Sequence, residues 1–113
     1  MKYLLLICAD EDAEVSSADE PDLAAGTAAW VAEMDGRGVR VDGDRLRPSA
    51  DATTVRVREG ELRIWHGPQA GTQLPIAGYD VIECADLDEA IEVAGKHPVV
   101  RFGAIDVRPV WCR

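Results

Sequence analysis

The sequence predicts an α+β domain in which two helices cover one face of a largely antiparallel sheet. Three observations carry that expectation. The chain opens on a continuous apolar run, Tyr3–Ala9, of strand length. Its middle alternates apolar and polar residues with period two, as a half-buried strand pair does. Two helical stretches, each with its own start and stop signals, stand apart with several strands between them, which is the two-layer order. The length of 113 residues fits one domain, residues 1–113.

After Tyr3–Ala9 comes an acidic loop containing Asp10, Glu11, Asp12, Glu14, Asp19, Glu20 and Asp22. Asp19 is the expected N-cap of the first helix, and Pro21 sits in its first turn, where a missing N–H costs nothing. Leu23, Thr27, Trp30, Val31 and Met34 recur at helical spacing and form its inner stripe. Gly36 and Gly38 end it. Residues 39–47 are polar and interrupted by Asp42-Gly43-Asp44, which reads as a weak hairpin or an edge strand. Thr53–Arg58 places Thr53, Val55 and Val57 on one face. Glu59-Gly60 turns the chain into Leu62–His66, where Leu62, Ile64 and His66 share a face and Arg63 and Trp65 take the other. Residues 67–77 form a long loop, and Gly78–Cys84 is the next strand. Asp86 and Glu89 make a capping box for the second helix. That helix runs to Lys96, with Leu87, Ile91 and Ala94 expected inside, and stops before Pro98. Phe102–Val110 is the last strand.

This order is a ferredoxin-like β-α-β-β-α-β core with an added β-hairpin. Helices on one side leave the other sheet face uncovered, yet several strands are apolar on both faces. A second copy of the sheet is the simplest cover, so the expected state is a homodimer through packed sheet faces.

The net charge of −9 and pI near 4.5 argue against direct contact with nucleic acid or anionic membranes, whose phosphates an acidic field repels. The first apolar run is too short to span a bilayer and is followed at once by acids rather than a cleavage site, so a cytoplasmic protein is expected. Cys8, Cys84 and Cys112 form no C-x-x-C pair and suit neither a disulfide framework nor structural zinc. The aspartates of the acidic loop lack the ordered spacing of a calcium site. Gly67, Gly71 and Gly78 match no phosphate or dinucleotide loop. His66 and His97 have no ligand-like spacing. No cofactor and no metal are therefore expected.

Four stretches resemble the YCII-related family, and within it the DGPF branch. They are the opening MKYLLLI, the segment LRPSADATTVR at residues 46–56, the loop HGPQAGTQLPIAGY at residues 66–79, and IECADLDEAIEVA followed by VRP. The second is similar to the branch's LRP…ATTVR segment, and the third lines up with its DGPFAETKEQLGGY loop. The resemblance implies the dimeric α/β-barrel form of the fold and a cleft between the sheet and the long loop. It also implies two functional settings. YCII-type domains are linked with small-molecule enzymology from a His/Asp pair, and the DGPF branch with extracytoplasmic-function sigma factors. The chain departs from the branch where the loop carries charge. His66 replaces the aspartate, Gln69 the phenylalanine, Gly71 the glutamate and Gln73 the lysine, while Gly67, Pro68, Ala70, Thr72, Gly78 and Tyr79 match.

His66 is the residue near neutral pKa at the expected cleft. It is the candidate general acid or base, oriented by Asp10 or Asp80. The plainer reading is a strand-end histidine satisfied by backbone or water. Arg47 is the candidate grip for a substrate carboxylate, against the alternative of a surface ion pair. Tyr79, Thr72 and Gln73 are candidate ligand contacts, though a tyrosine often packs its ring and loops are polar in any case. Two function classes stay open. One is an acid/base enzyme of the isomerase, lyase or dehydrohalogenase-like kind. The other is a non-catalytic ligand-sensing or interaction domain associated with a transcription regulator.

Overall fold

The computed structural model describes residues 1–9, 20–67 and 75–111. Within them the chain forms β1 (Lys2–Cys8), α1 (Glu20–Gly36), β2 (Arg40–Arg45), β3 (Thr53–Arg58), β4 (Glu61–His66), β5 (Ile76–Glu83), α2 (Leu87–Gly95) and β6 (Ala104–Pro109). Short 3-10 turns at Ser49–Asp51 and Pro98–Arg101 join them. Four strands make one antiparallel sheet in the order β2-β5-β1-β6, and β3 and β4 make a separate hairpin. With the hairpin set aside, the remaining strands and helices follow the β-α-β-β-α-β ferredoxin-like order. The expected α+β class and added hairpin are both present. No helix among the described residues is long and apolar enough to cross a membrane.

The register fixes which side chains share a face, because directly opposed residues point the same way. Tyr3, Leu5 and Ile7 of β1 oppose Ile82, Asp80 and Gly78 of β5. Across the other edge, Leu5 and Ile7 oppose Val107 and Ile105 of β6. This is the helix-facing side. Tyr3, Leu5, Ile7 and Ile82 are buried there with Trp30 and Met34 of α1 and Ala90, Val93 and Ala94 of α2. The first-helix stripe thus packs as the spacing requires. The second differs. Leu87 and Ile91 are exposed, and the inner positions are Ala90, Val93 and Ala94. Ala94 is inside as expected, and Ala90 and Val93 complete the inner face in place of Leu87 and Ile91. Small side chains at 90 and 94 let α2 lie close to the sheet, and the larger Leu87 is left at the open N-terminal turn. The capping box is as expected, with Asp86 accepting from the Glu89 N–H at 2.9 Å and Glu89 accepting from the Ala85 N–H at 3.2 Å.

Asp42-Gly43-Asp44 is not a turn. It lies inside β2, an edge strand with a register shift between Arg40 and Asp42. Gly43 is required by close approach instead. A Cβ there would strike the Asp80 carboxylate and the Tyr79 carbonyl oxygen. Gly43→Ala is expected to destabilise the fold by about 1–3 kcal/mol, the usual cost of overpacking a tight site. Urea unfolding of the two proteins checks this.

The opposite face of the sheet, open among the described residues, carries Leu4, Leu6 and Cys8 beside Tyr79 and Val81, all half-buried. Its rim is charged, with Asp42 and Asp44 on β2 and Asp106 and Arg108 on β6.

Candidate functional site

A concavity of about 280 Å³ opens to solvent beside the end of β2, lined among the described residues by Arg45, Leu46, Arg47 and Pro48. The Leu46 N–H donates to the Ala77 carbonyl at 2.8 Å, which ties this segment to β5. Pro48 then ends the extended run and leads into the 3-10 turn at Ser49–Asp51. Arg47 Nε donates to Asp51 Oδ2 at 3.0 Å, with the arginine side chain 85% exposed. An ion pair this exposed contributes little to stability, so Arg47 is free to exchange its partner for a ligand anion. Arg45 is the neighbour that the sequence reading missed. The signal was its R-x-R spacing with Arg47, which places two guanidinium groups together on an extended segment.

His66 ends β4, opposite Thr53 at the base of the hairpin. Its side chain is exposed and takes part in no hydrogen bond or ion pair among the described residues. The next residue, Gly67, has φ +117°, a conformation that side chains resist. Its N–H donates to the Ala52 carbonyl at 2.7 Å, and Thr54 Oγ1 donates to its carbonyl at 2.6 Å. The hairpin base is thereby clamped just before residues 68–74. Thr72 and Gln73 belong to that segment and lie outside the described residues, as does Asp10.

Asp80 and Tyr79 are adjacent on β5 and so point to opposite faces. Tyr79 is half-buried on the open face, opposite Leu6 and Asp44. Asp80 lies on the helix side at 7% exposure, and its Oδ1 accepts from Arg40 Nε at 3.0 Å. Arg40 Nη2 also donates to the Gly43 carbonyl at 3.0 Å, and Nη1 lies 3.7 Å from Asp35. Burial pushes the Asp80 carboxyl up, and the Arg40 guanidinium offsets only part of that. The structure therefore gives Asp80 to Arg40 and joins it by no contact to His66. Local sequence does not point to Arg40, because only the pairing of β2 with β5 brings it to Asp80.

His97 is a core residue. Its Nδ1 accepts from the Val99 N–H at 3.1 Å, its ring meets Trp30 edge-on at 4.9 Å, and burial lowers its pKa. Burial likewise pushes the Cys8 and Cys84 thiols up, which makes them poor nucleophiles. Among the described residues no cluster of three or more His, Cys, Asp or Glu could hold a metal ion.

A family model described as a YCII-related domain matches residues 1–112 of the chain. A relative in Rhizobium meliloti (strain 1021), named only as an uncharacterised protein, is 37% identical over 68 residues. The aligned part is 58% of this chain and 55% of the relative, so the match spans about half the length of that protein.

Proposed function

We propose that this chain, which belongs to the YCII-related family, binds a small anionic molecule in the concavity beside Arg47. The observation that carries this reading is the pair of arginines, Arg45 and Arg47, lining one concavity in a protein of net charge −9. Guanidinium groups grip planar carboxylates with two parallel hydrogen bonds. Leu46 and Pro48 supply apolar walls for the body of the ligand. Titration of the ¹⁵N-labelled protein with a panel of small carboxylates tests the proposal, with shifts expected at residues 45–48. Arg47→Ala is expected to weaken binding about 10–100-fold, the effect of losing one charge-assisted contact. A panel that leaves residues 45–48 unmoved removes the reading.

We further propose that His66, at the end of β4, is the proton-transfer group for that ligand, with Asp10 the carboxylate that orients it. The reaction class is then isomerisation, elimination or dehydrohalogenation at a carbon next to the ligand's carboxylate. His66→Ala is expected to leave binding intact and to lower turnover about 10²–10⁴-fold. A second reading has its own support, because His66 is exposed and meets no acid among the described residues. On that reading the chain is a ligand-sensing module of the DGPF branch, acting through a sigma-factor partner. Binding without turnover in the wild type selects it. In either case we place the protein in the cytoplasm as a homodimer packed through the open sheet faces.

A further inference from the structure

The β3–β4 hairpin gathers positive charge in an otherwise acidic protein. Thr54 opposes Trp65, Arg56 opposes Arg63 and Arg58 opposes Glu61, so these six side chains share one face. Three arginines and a single acid stand there, in a chain of net charge −9. Directly opposed residues hold their Cβ atoms about 4.5–5.5 Å apart, and like charges so placed repel. No acid among the described residues relieves the Arg56–Arg63 pair, since none of the ion pairs reaches the hairpin. Trp65 is 37% exposed and makes no ring contact among the described residues. It follows Arg63 by two residues on the same strand face, about 7 Å along. The face is also held in shape. Glu59 and Gly60 have φ of 55° and 78°, the turn whose twist matches that of paired strands. At the base, Thr54 Oγ1 donates to the Gly67 carbonyl at 2.6 Å.

We propose that this face is a second anion site, where Arg56 and Arg63 grip the phosphate of a phosphate monoester and Trp65 stacks on an aromatic ring that the ester carries. It is separate from the carboxylate site at residues 45–48 and does not depend on it. Charge decides the anion. A carboxylate has one charge and two oxygens, which a single arginine satisfies. A phosphate monoester brings a charge of about −1.5 to −2 near neutral pH and three terminal oxygens, enough to engage both guanidinium groups. Binding then replaces a like-charge repulsion with two charge-assisted contacts. Position decides the ring. Trp65 stands beside the arginine pair, and its flat apolar surface suits a planar group. Its neighbour across the ladder is the small Thr54, which leaves the indole uncovered on that side. The strand pairing and the clamped base fix the face before a ligand arrives, which lowers the ordering cost of binding. Net charge limits the size of the ligand. A long polyanion would lie against the acidic remainder of the surface, whereas a small ester is confined to this face.

Titration of the ¹⁵N-labelled full chain with phenyl phosphate tests the proposal. Shifts are expected at residues 54–65 and at the Trp65 indole N–H. Phenyl sulfate, of the same shape but with one charge, is expected to bind at least about 10-fold more weakly. Inorganic phosphate, which lacks the ring, is expected to lose a similar factor of about 10. Arg56→Gln and Arg63→Gln are each expected to weaken phenyl phosphate about 10–100-fold. Trp65→Ala is expected to weaken phenyl phosphate and to leave inorganic phosphate unchanged. Arg101→Gln, at an exposed arginine outside the hairpin, is expected to change neither. Thermal unfolding without ligand separates a structural role for the arginines. Removing one of two like charges is expected to leave the midpoint unchanged or to raise it. A lowered midpoint with unchanged phenyl phosphate affinity overturns the proposal. So do the absence of shifts at residues 54–65 at millimolar phenyl phosphate, phosphate shifts confined to residues 45–48, and equal affinity for phenyl phosphate and inorganic phosphate. Carboxylate shifts at residues 45–48 report on the other site separately.

Discussion

Replacing Arg40 by alanine is expected to cost about 3–5 kcal/mol of folding stability, the effect of stripping one partner from a buried ion pair. Asp80 is almost wholly buried, and Arg40 is its charge partner at 3.0 Å. Without the guanidinium, the carboxylate would stay charged in the core or take up a proton. The pH dependence follows from the direction of its shift. The folded-state pKa of Asp80 already lies above its ordinary carboxylate value, because burial outweighs Arg40. Between the two values the folded state binds more protons than the unfolded state, so stability from this group falls as pH rises through the folded pKa. Arg40→Ala raises that pKa further. Its deficit is therefore expected to be largest at neutral pH and to shrink on acidification. Arg40→Ala/Asp80→Asn removes the stranded charge and is expected to recover much of the loss at pH 7. Urea unfolding at pH 5, 6 and 7 measures all of this. A deficit independent of pH, with no recovery in the double variant, means that Arg40 acts through packing of its alkyl stem.

That pair also shows what sequence periodicity could reach and what it could not. The strands of the core, the capping box of α2 and the opposite facing of His66 and Trp65 were legible from local pattern, because each is set by neighbours within a few residues. The use of Asp80 was not. Adjacent Tyr79 and Asp80 both looked available to a cleft, but a strand sends them to opposite faces, and only long-range register puts Arg40 beside Asp80. Gly43 misled for a similar reason. A glycine between two aspartates has turn chemistry, yet here it makes room for a carboxylate from another strand. Arg47 is legible from its charge beside a proline, and it lines the concavity with Arg45. Residues 68–74 of the family loop lie outside the described part, so the described candidates are the Arg45–Pro48 concavity and, separately, His66 at the end of β4. Acid/base use of His66 requires a carboxylate within hydrogen-bond reach of its ring.

Trp30→Ala is expected to destabilise the protein by about 3–5 kcal/mol, the usual cost of truncating a buried tryptophan. The indole does three things at once. Its ring fills the layer between α1 and the sheet at 3% exposure. Its Nε1 donates to the Val93 carbonyl at 2.9 Å, satisfying an acceptor near the end of α2. Its edge packs against His97, whose unprotonated Nδ1 caps the 3-10 turn Pro98–Arg101 by accepting from Val99. Trp30→Phe keeps most of the ring and removes one of two donors to the Val93 carbonyl, which still accepts from the Lys96 N–H at 3.3 Å, so a smaller loss of about 0.5–1.5 kcal/mol is expected. The same cluster sets an acid limit. Burial holds His97 below its ordinary pKa, and protonation at Nδ1 would remove the acceptor that caps the turn. Between the depressed folded value and the ordinary one the unfolded state binds more protons, so this group's stability is present above the ordinary value and is lost as pH falls through the folded one. Unfolding of the wild type is expected to become easier from about pH 6.5 downward. His97→Asn, whose side-chain oxygen can still cap the turn, is expected to flatten that slope. An unchanged slope in the variant would assign the acid sensitivity to carboxylates elsewhere. The Pro98–Arg101 turn leads directly into β6, and Gly103 at their junction sits against the Cys8 carbonyl of β1. Loss of the cap is therefore expected to loosen the β6 edge of the sheet first, with amide exchange fastest at residues 104–109.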